Sequence, residues 1–331
     1  MRPVARVVGV PVGITFMLLL RLTGRKAGVA LMYHSVDRRA GDPARELVPP
    51  HEAGLFEAQV RHVARHYRVV PADRLLEAVK GRRRGQRFPV AITFDDDLAC
   101  HATIAAPVLR ELGAPSTFFL SGASLDRPFS FHFERLQRAW DGEVTDLPAV
   151  VGGAAPATET SLHGLGWTMV EMSPEERDGA AARLLAAAGP DPDGAGMRRE
   201  HVRELASAAG MTVGFHTFRH DPLTGLTDEQ LADAMRHGRD ELAELAGAPV
   251  DVIGYPHGRA DERVAAAARD AGFRFGYCTR RVPVTPSSDP WLLGRFGPSL
   301  RSVGALALEL AVTLVKRESA RSSSAPERAA S

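Results

Sequence analysis

Cysteine is nearly absent from this chain: 331 residues hold two, Cys100 and Cys278. Two thiols cannot build a disulfide framework, and no C-x-x-C is present. Net charge is as scarce. There are 41 basic and 40 acidic side chains, which leave +1. That balance gives no basis for a nucleic-acid partner. Internal repeats at a fixed period are missing too, and so is a long unbroken apolar run. The nearest to one is "VVGVPVGITFMLLL" near the N-terminus, which Gly9, Pro11 and Gly13 interrupt. It is short for a membrane span. Arg2 and Arg6 precede it, and Arg21, Arg25 and Lys26 follow, as around the apolar part of a signal sequence, yet no small-x-small cleavage site comes after. Three readings stand for residues 1–27: a signal anchor, an interfacial membrane helix, or a helix buried against the domain. The first two favour a membrane or cell-envelope location over the cytoplasm. At the other end, residues 316–331 are rich in Ser, Ala and Arg with little to bury, and disorder is expected there.

What is present is a core. The apolar fraction is 44%, enough for one large domain or two ordinary ones. "AGVALMYHSV" predicts a buried strand over Val29–Tyr33 that opens into a loop at His34. "YRVV", "FPVAITF", "PSTFFLSG", "MTVGF", "VDVIGYP" and "FRFGYCT" predict further strands. Helical spacing appears between them, as in "FEAQVRHVARHY", "ADRLLEAVKG" and "TDEQLADAMRHGRDELAELAG". Thr227 is the expected N-cap of the last of these, with Glu229 and Gln230 in its first turn. Short alternation of strand and helix argues for a parallel sheet wrapped by helices. The alternation breaks between about 126 and 196, which reads as a mostly helical insertion. A last apolar helix, "VGALALELAVTLV", follows Trp291–Phe296. Six or seven such units suggest a (β/α) barrel over residues 28–315, whose chemistry would sit at the C-terminal strand ends.

Four of those ends carry polar residues: His34, Asp95–Asp97, His216–His220 and Pro256–Gly258. Three adjacent aspartates at the mouth of a buried strand repel one another, and desolvating even one is costly. A cation would offset that repulsion. His216 and His220, in H-x-x-x-H spacing, can reach one ion, with Asp96 as third ligand. Two His and one carboxylate leave positions open, as in a catalytic site. Zinc suits these ligands best, with iron, cobalt and nickel as alternatives. Asp95 could then take a proton from water. Asp97 is expected only to turn the chain, since Asp tolerates left-handed geometry. His62 and His66 on one helix face read as surface, and the run Arg82–Arg84 as a solvated loop that could touch an anionic membrane. "FSFHFERL" reads as packing of the insertion. Trp140, Trp167 and Trp291 could stack on sugar rings.

"AITFDDD", "APVLRELGAPSTFFLSG", "GFHTFRHDPLTGLTDEQL" and "YPHG…ARDAGFRFGYCT", in this order, resemble the polysaccharide deacetylases (NodB-homology domain, carbohydrate esterase family 4). The resemblance covers about Gly28 to Pro298 without the insertion. It implies a distorted (β/α)7-type barrel that hydrolyses the N-acetyl amide of an amino sugar in a polysaccharide or glycoconjugate. It implies Asp95 as catalytic base, Asp96, His216 and His220 as ligands of a divalent metal, and Pro256, His257 and Gly258 as a groove wall and oxyanion site. "LMYHSV" is similar to the opening of a circularly permuted branch, the poly-N-acetylglucosamine deacetylases, which implies His34 as general acid. Three departures stand out. Asp97 replaces a Gly. Asp221 separates His220 from Pro222. The Arg expected before the P-x-G motif, which would orient the base, is missing from Ile253–Tyr255. Two rivals remain: another metal-dependent C–N hydrolase, such as a deformylase or amidase, and an inactive sugar-binding homologue.

Overall fold

The computed structural model describes residues 4–153 and 158–316. The strands, in chain order, are β1 (Val29–Tyr33), β2 (Val36–Asp37), β3 (His51–Glu52), β4 (Arg68–Val69), β5 (Pro89–Asp95), β6 (Ser116–Leu120), β7 (Met211–Phe215), β8 (Val252–Gly254), β9 (Phe275–Thr279) and β10 (Leu293–Phe296). Seven of them close a parallel barrel in the order β1, β10, β9, β8, β7, β6, β5, with β5 pairing back onto β1 from Val29↔Val90 to Tyr33↔Phe94. Every residue of β5 is buried, as expected of a parallel strand covered on both faces.

The barrel closes through a different strand from the one expected. "YRVV" forms only the two-residue β4, which pairs with Pro89 and Val90 at the start of β5. The seventh barrel strand is β10, in a stretch where no strand was expected. Its four residues include Gly294 and Arg295, too short and too mixed to stand out as a pattern.

Helices surround this barrel. The helix α1 spans Val4–Arg21, α2 Ala53–His66 and α3 Ala72–Gly81. The third of these stoppers the N-terminal end of the barrel. The Ala72 N–H donates to Thr117 Oγ1 at 2.9 Å, and Tyr277 Oη donates to the Ala72 carbonyl at 2.7 Å. Leu75, Leu76 and Val79 of α3 share one apolar cluster with Ala30, Ala91, Phe119 and Tyr277 of the barrel. The short α4 (Ala106–Glu111) follows β5 through a π-helical turn.

Between β6 and β7 come α5 (His132–Asp141), α6 (Leu147–Gly152), α7 (Leu162–Glu171), α8 (Pro174–Ala188) and α9 (Arg199–Ser207). Helices α5 to α8 share their own small core, including Leu136, Leu147, Leu165 and Leu184. Thr227 caps α10 (Asp228–Ala234) and makes a reciprocal box with Gln230. The single long helix predicted from there is broken. Gly238 takes φ 82° against the Phe218 ring, and α11 (Arg239–Ala246) starts after it. The remaining helices are α12 (Glu262–Asp270) and α13 (Val303–Val315).

Helices α1 and α13 pack along each other. A side chain at Gly13 would meet the Ala307 backbone at 2.9 Å, so glycine permits their close approach. Met17 is buried between them and the domain. Among the described residues, no helix is long and apolar enough to cross a membrane. The expected disordered tail lies, beyond Lys316, outside the described residues.

Two surface expectations are corrected. His62 is buried, not exposed. Arg82 is buried as well. Its guanidinium stacks over Phe88 and donates to the carbonyls of Arg25 and Gln86, which ties α3 to the chain before β1. Arg83 and Arg84 are exposed, as read.

Candidate active site

The C-terminal end of the barrel gathers Asp95 at the end of β5 and Asp96 just after it, His216 and His220 after β7, His257 after β8, and His34 after β1. All six line one cavity of about 850 Å³. A separate hollow of about 890 Å³, over Arg39, Glu46 and Trp140, contains none of them.

Backbone geometry at this end is unusual. Asp96, Thr217, His220 and His257 all have positive φ, between 54° and 73°, and none is glycine. Such conformations cost free energy and persist where the surroundings enforce them, commonly at functional sites. The left-handed residue of the aspartate run is Asp96, not Asp97 as expected.

Asp97 is a buried acceptor. Its Oδ1 takes the Ser121 N–H at 2.8 Å and its Oδ2 the Ser121 hydroxyl at 2.6 Å; longer bonds reach it from Gly122 and Ser124. It therefore pins the loop after β6. The short Ser and Gly of "SGAS" were the signal for this, since they present donors that a strand-end carboxylate can accept.

His216 Nδ1 donates to the Gly254 carbonyl at 2.7 Å. This fixes the ring and leaves Nε2 facing the carboxylates, 3.6 Å from Asp96 Oδ1. His220 Nε2 is 3.3 Å from the same oxygen. One ligand atom from each of Asp96, His216 and His220 lies within 4.8 Å of the others. Asp96 Oδ1 is buried and without a hydrogen-bond partner. Burial, and then the charges of Asp95, Glu134 and Asp97, push the Asp96 carboxyl well above its ordinary pKa. Burial lowers both His216 and His220, which keeps them neutral. Neutral imidazoles and an unpartnered buried carboxylate form a donor set suited to a divalent cation.

Asp95 has a partner that was expected to be missing. Arg295 of β10, fully buried, holds both carboxylate oxygens: Nη2 to Oδ2 at 2.7 Å, and Nη1 to Oδ1. Burial alone would raise Asp95, but Arg295, His216 and His34 outweigh it and leave it below its usual value. The signal was a lone Arg inside the apolar "LLGRFG", since an arginine fully buried in a strand needs a carboxylate. The guanidinium is thus supplied by the last barrel strand and not by the stretch before Pro256.

His34 Nε2 stands 3.9 Å from Asp95 Oδ2 and keeps 30% of its side chain exposed. Burial lowers its pKa, against the pull of Asp95. The Pro256–Gly258 turn forms one wall. Gly258 N–H is committed to the Tyr255 carbonyl at 2.9 Å, and a side chain at Gly258 would collide with Thr279. His257 Nε2 lies 3.3 Å from the His220 carbonyl oxygen.

The insertion reaches the site directly. Rings of Phe131 and Phe133 lie 5.0 and 5.7 Å from that of His220, and His132, Phe133, His163 and Trp167 line the cavity. "FSFHFERL" therefore packs onto the site and not merely within the insertion. Of the three tryptophans, Trp167 lines this cavity, Trp140 borders the separate hollow, and Trp291 donates its Nε1–H to the Phe273 carbonyl. Asp221, the residue that departs from the motif, is paired with Arg177 of α8 at 2.5 Å and Arg219 at 3.0 Å. That pair fastens the insertion to the loop of His220.

Comparison with known proteins gives a consistent result. Residues 82–276, more than half of the chain, match the family model described as polysaccharide deacetylase. YxkH of Bacillus subtilis, whose name carries the same family, is 22% identical over 287 residues, covering 82% of this chain and 76% of its own. Two solved structures share the fold. The Streptococcus pyogenes deacetylase PplD, in complex with acetate, covers 86% of this chain and 98% of its own, with a TM-score of 0.58 at 16% identity. IcaB from Ammonifex degensii covers 85% and 97%, with a TM-score of 0.57 at 18% identity.

Proposed function

This chain belongs to the polysaccharide deacetylase family and is a hydrolase of carbon–nitrogen amide bonds on N-acetylated sugars; from that premise we propose a metal-assisted mechanism on an envelope glycan or glycoconjugate. The observation that carries the reading is the juxtaposition of two functions on adjacent residues. Asp96, with His216 and His220, offers a cation site, while Asp95 is turned to Arg295 and stays ionised.

Asp96, His216 and His220 would hold the divalent cation, for which zinc is the best match of ligand type. When bound, that ion supplies Lewis acidity for the acyl carbonyl and for water. Asp95 accepts the proton of the attacking water, and its low pKa keeps it available as a base at neutral pH. Arg295 orients both oxygens of Asp95 and fixes its charge. His34, beside Asp95 and partly open to solvent, passes a proton to the departing nitrogen. Water is consumed, the amide C–N bond breaks, and acetate and a free amine leave. The oxyanion role assigned to the Pro256–Gly258 turn rests on the His257 N–H. Pro256 has none, and that of Gly258 is already bonded.

We read residues 28–315 as the catalytic unit, with the insertion at about 126–196 roofing its cavity. The deciding experiment is elemental analysis of the purified protein beside acetate release from N-acetylglucosamine oligomers. About one metal per chain, with acetate, supports the mechanism. Metal without acetate from these oligomers, but with formate released from an N-formyl amino sugar run in parallel, would move the substrate to a formyl amide. A protein that takes up no metal on reconstitution would overturn the cation site.

A further inference from the structure

The largest exposed apolar side chains are not scattered. Among the described residues ten are exposed, and eight of them lie on or directly after α1 and on α13: Val12, Phe16, Leu18, Leu19 and Leu22, with Leu308, Val312 and Val315. They keep between 37 and 61% of their surface open. Val12, Phe16 and Leu19 fall at i, i+4 and i+7 along α1, and Leu308, Val312 and Val315 repeat that spacing on α13. Each set is one stripe of its helix. The helices lie side by side and run the same way, since Gly13 meets Ala307 and Arg25 donates to the carbonyl of Lys316. Isolated exposed apolar residues need no explanation, but a concentrated set marks an interaction surface.

The end of this helix pair is basic. Arg82 donates to the carbonyls of Arg25 and Gln86, and Arg21 to that of His66. These bonds engage Nη atoms only, leaving the buried Nε of Arg21 and of Arg82 without a partner and the charges uncompensated. Burial lowers the pKa of Arg21 and Arg82, and then the neighbouring cation lowers it further, Arg87 for the first and Arg21 for the second. Lys26, Arg83, Arg84, Arg87 and Lys316 are exposed around them. Among the described residues, no carboxylate pairs with Arg21, Arg82, Arg83, Arg84 or Arg87.

We propose that the α1–α13 face docks, lying in the plane of the interface, on a bilayer of anionic phospholipid. Charge complementarity selects this occupant. A second copy would bring the same apolar stripes and the same cations, and the carboxylate on α13, Glu309, is already engaged by the Ser299 N–H and by Arg281. An anionic bilayer offers acyl chains to the stripes and phosphates to the rim. The inference extends beyond α1: three of the eight exposed apolar residues belong to α13. It is independent of the chemistry of the cavity.

The test is co-sedimentation of the full chain with phosphatidylcholine vesicles and with phosphatidylcholine–phosphatidylglycerol vesicles. Binding to the mixed vesicles, weaker on phosphatidylcholine alone and reduced by salt, is expected. Arg83→Glu with Arg84→Glu weakens binding to mixed vesicles by about tenfold or more. Phe16→Ser with Leu19→Ser and Val312→Ser abolishes it. Both variants change exposed residues and keep wild-type acetate release on soluble oligomers, which distinguishes lost docking from lost folding. Failure to sediment with either vesicle overturns the proposal. So does binding that both variants retain. A concentration-dependent dimer that the serine variant dissolves, without vesicle binding, overturns it in favour of self-association.

Discussion

Arg295 and Asp95 stand 200 residues apart in sequence and meet as a two-pronged ion pair inside the barrel. The guanidinium lies fully buried, with Phe119 beneath it at 5.0 Å and Thr93 Oγ1 accepting from Nη1 at 3.3 Å. Neither charge has solvent to fall back on. Each is tolerable only while the other is there.

Removing one partner should therefore be costly. Arg295→Met leaves a buried carboxylate without its counter-charge, and stability should drop by about 3–5 kcal/mol in chemical denaturation. Arg295→Lys keeps the charge but not the planar fork, and should fall between. Acetate release should fall in both, more in the Met variant, with bound metal unchanged wherever the fold is kept. A Met variant as stable and active as the parent would remove Arg295 from the account.

Asp96 gives a prediction whose sign depends on the cation. Its carboxyl is raised by burial and by the charges of Asp95, Glu134 and Asp97, so ionised Asp96 is unfavourable in the metal-free chain. Asp96→Asn should stabilise the metal-free protein. With metal supplied, the parent should gain stability by linkage and the variant should not. Thermal melts with chelator and with added zinc measure both halves. His216→Ala and His220→Ala should lose the metal-dependent gain as well. Retention of that gain in all three variants would put the cation elsewhere.

Asp97 is expected to be structural. It accepts three or more hydrogen bonds from the loop after β6, and hydrogen bonds to a charged group contribute about 1.5–3 kcal/mol each. Asp97→Gly would restore the more usual motif and still destabilise, by about 3 kcal/mol or more. Denaturation midpoints test this. A neutral or stabilising effect would mean that the left-handed Asp96 beside it, and not Asp97, governs the turn.

The sequence made the barrel and the convergence of Asp95, Asp96, His216 and His220 legible, because apolar strands ending in ionisable residues leave a strong local mark. It hid what depends on contacts between distant segments. Strand β10 is four residues long, and its Arg295 looked like an interruption until its partner was in place. Asp97 looked expendable because its donors lie beyond the next helix and strand. Arg82 looked solvated because, Gln86 apart, the carbonyls it donates to, those of Arg21, Thr23 and Arg25, come from the end of α1 and the loop after it, about sixty residues earlier. Phe131, His132 and Phe133 suggested local packing because nothing in an insertion's sequence says which surface it covers.

Acid should destabilise the fold through His101. This residue is fully buried, 5.3 Å from the Phe94 ring and 5.8 Å from that of Phe118, with Nε2 3.1 Å from the His34 carbonyl oxygen. Burial drives its pKa from 6.5 down to about 4. Between those two values the unfolded chain binds a proton that the folded chain does not. Stability is therefore intact above pH 6.5 and falls as the pH drops towards 4, by about 1.4 kcal/mol per pH unit from this group. His51 is also lowered to about 4, chiefly by burial, and adds in the same direction. Urea denaturation at pH 7 and pH 5 should show the parent losing stability, and His101→Gln losing about 2 kcal/mol less over the same interval. The variant starts from a lower stability at pH 7, so the slope and not the absolute value is the readout. Equal slopes in parent and variant would mean that His101 titrates alike in the folded and unfolded chain. The acid sensitivity would then belong to other groups.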